Sequence, residues 1–177
     1  MSFSFKNTKT QYGVGGRILH WTSVALLVTL ILTADNFKSL DTSLEKTQLI
    51  GLHVSWGLLF IAVISARVVW RARNLNPIHS YSIRDWQKFT AIFLHWSIYV
   101  LVLTLSISGL LNLVFNESGI PVFSYFEIPV ITSNNGELRE LFGMLHYILS
   151  VLVYPLIAIH ITAAIYHQLF GVLDEEE

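Results

Sequence analysis

The sequence predicts an all-α fold, a four-helix transmembrane bundle with both termini in the cytoplasm. Three observations carry that expectation. Four stretches contain no Asp, Glu, Lys or Arg: residues 18–34, 47–66, 89–116 and 141–173, of 17, 20, 28 and 33 residues. A membrane-crossing helix needs about 20 mostly apolar residues. The chain as a whole is 53% hydrophobic, with a mean hydropathy of +0.56. Lys and Arg are also unevenly placed between the runs. Lys6, Lys9, Arg17, Arg67, Arg71, Arg73, Arg84 and Lys88 fall on one side, and only Lys38, Lys46 and Arg139 on the other. By the positive-inside rule the richer side is cytoplasmic. The acidic tail Asp174-Glu175-Glu176-Glu177 does not oppose this, because the rule counts Lys and Arg.

Helix 1 is expected over about 14–35, beginning after Gly13. The tripeptide Leu32-Thr33-Ala34 is a poor small-x-small cleavage pattern, so this run reads as a retained helix and not as a leader. Helix 2 is expected over about 47–73, ending near Pro77, and helix 3 over about 85–115, stopping near Asn116–Gly119. Helix 4 should cover about 138–171, with Pro155 inside it, which membrane helices tolerate. The connection 117–137 has turn signals at Gly119, Pro121, Pro129 and Asn134-Asn135-Gly136. It also carries Val122, Phe123, Tyr125, Phe126, Ile128, Val130 and Ile131. An apolar outer loop of this kind reads equally as a lid and as an interfacial anchor. With no internal repeat and no low-complexity segment, residues 1–177 are taken as a single domain.

Bulk chemistry narrows the function. A formal net charge of −1 leaves no basic footprint for nucleic acid. There is no cysteine. Disulfides, thiolate metal sites, iron–sulfur clusters and thioether-linked haem are therefore excluded. With seven histidines against two methionines, histidine is the ligand to follow. Ionisable groups inside a bilayer are costly and by default functional.

His20, His53, His95, His146 and His160 lie well inside the runs, His167 lies near the end of helix 4, and His79 lies in the cytoplasmic loop. Helix 1 climbs from the cytoplasm, so His20 is low. Helices 2 and 4 descend, so His53 and His146 are both high. His160 follows His146 by fourteen residues, about 21 Å lower and nearly four whole turns on, hence on the same face. The depths give two pairs, His53 with His146 near the outer face and His20 with His160 near the inner. Two histidines make a poor zinc site, which wants four ligands. Haem iron needs only two axial ligands from the protein. Small residues flank the candidates and leave room for a flat ring: Gly57, Gly143, Ser150, Ala163 and Ala164. Arg67 lies fourteen residues after His53 on the same face, where a guanidinium could bind a haem propionate. Arg17 and Arg71 are alternatives for that role. His95 and His167 read equally as cross-helix hydrogen-bonding residues and as functional ones.

These residues resemble the bacterial cytochrome b561 family. The matching pieces are Arg17-Ile-Leu-His20-Trp21, His53-Val-Ser-Trp-Gly57 running on to Arg67, and Leu94-His95-Trp-Ser-Ile-Tyr99. The last is His146, thirteen residues, His160, then Ala163-Ala164-Ile-Tyr-His167. The resemblance implies two b-type haems in a four-helix bundle of the bacterial inner membrane. His20, His53, His146 and His160 would be their axial ligands. It also implies a ubiquinone site, for which His167 is the matching residue, and superoxide oxidation as the best-known activity.

The expected function is therefore electron transfer across the membrane, to or from quinone, with His95 and His167 as partners of a quinone carbonyl. One feature departs from superoxide-oxidising relatives. The outer side carries Lys38, Lys46 and Arg139 against Asp35, Asp41, Glu45, Glu117, Glu127, Glu137 and Glu140, a net −4. Such a field repels superoxide, unless Lys38 and Arg139 cluster locally over the outer site. Two other functions fit the same residues. One is a haem-bearing membrane anchor that docks a soluble periplasmic redox protein. The other is a histidine-lined proton or metal transporter, against which the lack of broken-helix repeats speaks.

Overall fold

The computed structural model describes residues 4–8, 11–41, 44–75, 85–116, 119–123, 125–130 and 134–170. Lys9, His79, Arg84, Glu117, Ile131 and the acidic tail lie outside them. Four helices dominate: α1 Val14–Ser39, α2 Leu44–Arg73, α3 Asp85–Val114 and α4 Gly136–Phe170. All four are long and apolar enough to cross a membrane. Even-numbered crossing returns both termini to one end, here termed inner.

Three helices extend beyond their expected bounds. α1 continues to Ser39, α2 begins at Leu44 and α4 begins at Gly136. The added turns carry charges suited to the helix dipole. Lys38 lies in the last turn of α1, Glu45 in the first of α2 and Glu137 in the first of α4. Hydropathy marks the apolar span, whereas the hydrogen-bond ladder of each helix runs on through the charged turns that flank it.

The start of α1 has no side-chain cap. Its free amides turn back to the preceding segment: Val14 N–H donates to Ser4 O at 3.0 Å and Gly15 N–H to Phe5 O at 3.2 Å. Asn7 accepts from Gly13 N–H at 2.9 Å and donates to Leu75 O at 2.8 Å, which ties this arm to the end of α2. Gly15 is required there, since a Cβ would lie 2.7 Å from the Trp70 ring.

The helices associate as two hairpins. α1 packs along α2 and α3 along α4; α2 meets α3 more sparsely, and no comparable packing joins α1 to α4 among the described residues. A buried cluster spans the seam at mid-height, with Leu26, Phe60, Val102 and Val153 at its centre and Ile64 and Tyr99 on its inner side. Phe60, Val102 and Val153 are each 2% exposed.

The outer connection contains the one element not expected from sequence, a small antiparallel hairpin of β1 Ile120–Val122 and β2 Phe126–Ile128. It is clamped to α2 through Ser55, whose hydroxyl oxygen accepts from Phe123 N–H at 2.9 Å and lies 2.7 and 3.0 Å from the Gly51 and Pro121 carbonyls. Phe123, with φ 46°, sets its ring against Trp56 at 4.8 Å. β1 faces the bundle while β2 faces out, with Tyr125 87% exposed. The connection thus packs one strand on α2 and leaves the apolar side chains of the other exposed. Replacing Ser55 with Ala leaves a part-buried amide unpaired, an effect of about 1–3 kcal/mol. The Ser55→Ala protein should melt earlier and be cleaved faster within 119–130 under limited proteolysis.

Candidate functional site

A seven-residue step governs the interior. On α4, His146, Val153, His160 and His167 follow one another at that interval; on α2, His53, Phe60 and Arg67 do; on α3, His95, Val102 and Gly109 do. Seven residues make nearly two turns, so each set forms one stripe. α3 and α4 are antiparallel, and their stripes meet in register. Gly109 abuts His146, Val102 and Val153 share the central cluster, and His95 meets His160. The result is an outer histidine tier, an apolar middle and an inner histidine tier.

In the outer tier His53 faces His146, with ring centroids 6.3 Å apart and planes at 86°. Each is held by a backbone carbonyl of its own hairpin. His53 Nδ1 lies 3.1 Å from Leu30 O and 3.1 Å from Thr33 Oγ1, and His146 Nδ1 lies 2.8 Å from Leu105 O. A carbonyl can only accept, so Nδ1 carries the proton and Nε2 keeps the lone pair. That is how a protein prepares an imidazole to bind a metal. Lys38 stands within electrostatic range of both rings and 3.9 Å from Asp35. Arg139 instead donates to Asn116 Oδ1 at 2.8 Å.

The inner tier opens into a cavity of about 1130 Å³. His20, His95, His160 and His167 all line it. The ring nearest His160 is that of His95, at 5.1 Å, while His20 stands within electrostatic range of both. His95 Nδ1 is bound to Ala91 O. His167 lies further down the cavity against Tyr166, 5.7 Å between centroids. Arg67 and Arg71 flank the Tyr99 ring at 5.6 and 5.9 Å, and Arg67 also donates to Ser23 Oγ at 2.8 Å. Neither arginine has a carboxylate partner among the described residues. Two residues that line the cavity carry a buried polar atom with no hydrogen-bond partner among the described residues, His20 at Nδ1 and Trp70 at Nε1. Arg17 turns away, with Nε and Nη2 on Tyr12 O at 3.2 and 2.9 Å, and does not line the cavity.

A family model described as prokaryotic cytochrome b561 matches residues 11–174. Cytochrome b561 homolog 2 of Escherichia coli (strain K12) is 30% identical over 170 residues, covering 93% of this chain and 88% of that protein. The chain belongs to the prokaryotic cytochrome b561 family. It is accordingly a multi-pass protein of the bacterial inner membrane that binds haem b and transfers electrons across the bilayer.

The residues present fit that cofactor of the cytochrome b561 family. Two imidazoles on opposite sides of one metal ion, with metal–nitrogen bonds of about 2 Å, place their ring centres about 6 Å apart, close to the outer-tier spacing. In the inner tier Arg67 and Arg71 line the cavity and offer donors suited to propionate carboxylates. Among the described residues no cluster of three or more His, Asp or Glu forms a conventional metal site.

Sequence reasoning found the histidines but missed their supports. Leu30 O and Leu105 O are backbone atoms and have no sequence signature. Trp70 carries no motif in the sequence, and Tyr99 stands out only through its motif with His95. Gly109 had a signal in the shared seven-residue step, once α3 and α4 are aligned antiparallel.

Proposed function

We propose that the protein holds two haem b groups, one per tier, and relays electrons between its outer face and the membrane ubiquinone pool. His53 and His146 hold the outer group; His20 and His160 hold the inner. The facing, Nδ1-tethered pair His53–His146 is the observation that carries this reading. Each group, when bound, supplies a one-electron ferric–ferrous couple. Two protein ligands per iron leave no open coordination position, so the sites act as relays and not as oxygen-binding centres.

The chain's own residues do the rest. Leu30 O and Leu105 O orient the outer ligands. Arg67 and Arg71 would hold propionates in the inner cavity. The inner end, bearing the Lys/Arg surplus, faces the cytoplasm. Quinone reduction also requires protons. His95 and His167 share the cavity near that end; His167, or His95 once its free Nε2 has taken up a proton, would donate to a quinone carbonyl and pass that proton on.

Superoxide is one electron source for the outer tier, supported by the family resemblance and by Lys38 beside the outer pair. The exposed carboxylates of the outer face favour a second reading, a cationic soluble redox protein docked there.

Haem extraction from the purified chain should give two haems per polypeptide. His53→Ala or His146→Ala should leave one, and His160→Ala should leave the other. A wild-type stoichiometry of one would overturn the two-tier reading. His95→Ala and His167→Ala should slow quinone reduction at unchanged haem content, and unaffected rates in both would remove them from the quinone site. Salt separates the two donors. Reduction by superoxide should accelerate with ionic strength as the acidic field is screened, whereas reduction by a basic protein should slow.

A further inference from the structure

Each tier presents one α3 residue to the α4 histidine, and the two tiers differ there. Opposite His160 stands His95, whose Nδ1 occupies the Ala91 carbonyl one turn back. Opposite His146 stands Gly109. A Cβ at Gly109 would lie 2.8 Å from both Cε1 and Nδ1 of the His146 ring, so no other residue leaves that ring where it is. The same close approach brings Nδ1 to the Leu105 carbonyl, again one turn back, at 2.8 Å. That carbonyl is contested, because Ser108 Oγ also donates to it at 2.8 Å.

We propose that Gly109 is a positioning residue that tunes the outer haem. The inference rests on the reading that His53 and His146 ligate a haem. The notch at Gly109 lets the imidazole reach the α3 backbone, and the Nδ1–H···O=C bond then raises the basicity of Nε2. A more basic axial ligand stabilises the ferric over the ferrous state and lowers the reduction potential, since outer hydrogen bonds to a ligand are one of the protein's means of setting it. Gly109 acts only through His146; Ser108 weakens the effect by sharing the acceptor.

The test is an optical redox titration of the full-length protein in lipid nanodiscs, with haem quantified. The component that survives in His53→Ala identifies the inner haem. Gly109→Ala pushes the ring off its seat and should raise the outer potential, by up to about a tenfold change in the reduction equilibrium, which is 59 mV for one electron. Both haems should remain, with the inner component unmoved. Ser108→Ala frees the Leu105 carbonyl for His146 and should move the outer potential the opposite way. Gly51→Ala is a matched helix-glycine control, since its Cβ would meet nothing nearer than Pro121 at 3.8 Å; it should move neither component.

Two intact haems with unchanged potentials in Gly109→Ala, or equal shifts in both components, would overturn the proposal. Should Gly109→Ala not assemble, Ser108→Ala decides, and the absence of a downward outer shift overturns it. A wild-type protein with fewer than two haems defeats the underlying two-haem reading instead, so the two failures are distinguishable.

Discussion

An imidazole placed in hydrocarbon needs partners for its ring nitrogens, and the outer tier of this protein is arranged around that demand. Water is not there to supply the bonds. In the outer tier one nitrogen of each ring takes a helix carbonyl, and the two rings face each other across the seam between hairpins. A helical carbonyl already serves its own ladder, so it can take an extra donor only at short range. This is why α3 carries glycine opposite His146. The need to satisfy a side chain on one helix thus dictates the residue on its neighbour.

The same demand accounts for the unequal packing of the bundle. Within each hairpin the helices lie side by side; across the seam they touch mainly at mid-height. A bundle closed along its full length would leave no room for flat rings. One held only by rings would have no fixed spacing. The Leu26, Phe60, Val102 and Val153 layer supplies the spacing, because it sits about half-way between tiers on the very stripes that carry the histidines. On each stripe the middle position, Phe60, Val102 or Val153, is a packing contact, and the positions seven residues to either side line a tier.

Much of this was legible in the chain. The four crossings follow from charge-free runs, and the depths of His20, His53, His146 and His160 follow from counting at a fixed rise. What escaped had physical reasons. Helix ends escaped because hydropathy reports the hydrocarbon boundary and not the end of the hydrogen-bond ladder, as Lys38 and Glu137 show. The hairpin at 120–128 escaped because it depends on one serine of α2 some sixty-six residues away from Pro121. Pairing by depth also could not foresee that His95 would be the ring nearest His160, since azimuth across helices is set by packing. Arg17 had the right charge at the right end, but a local carbonyl claimed it.

The dry middle layer has an electrical consequence. Fourteen helical residues separate the tiers, about 21 Å of a hydrocarbon slab about 30 Å thick. A charge moved between them without water or counter-ion crosses roughly two-thirds of the transmembrane voltage. At about 2.3 kcal/mol per charge per 100 mV for the full span, that is about 1.5 kcal/mol. On the two-haem reading, a membrane voltage of about 100 mV would bias the passage of each electron between the tiers by roughly tenfold, with the thickness of four apolar side chains as the insulator of a small capacitor.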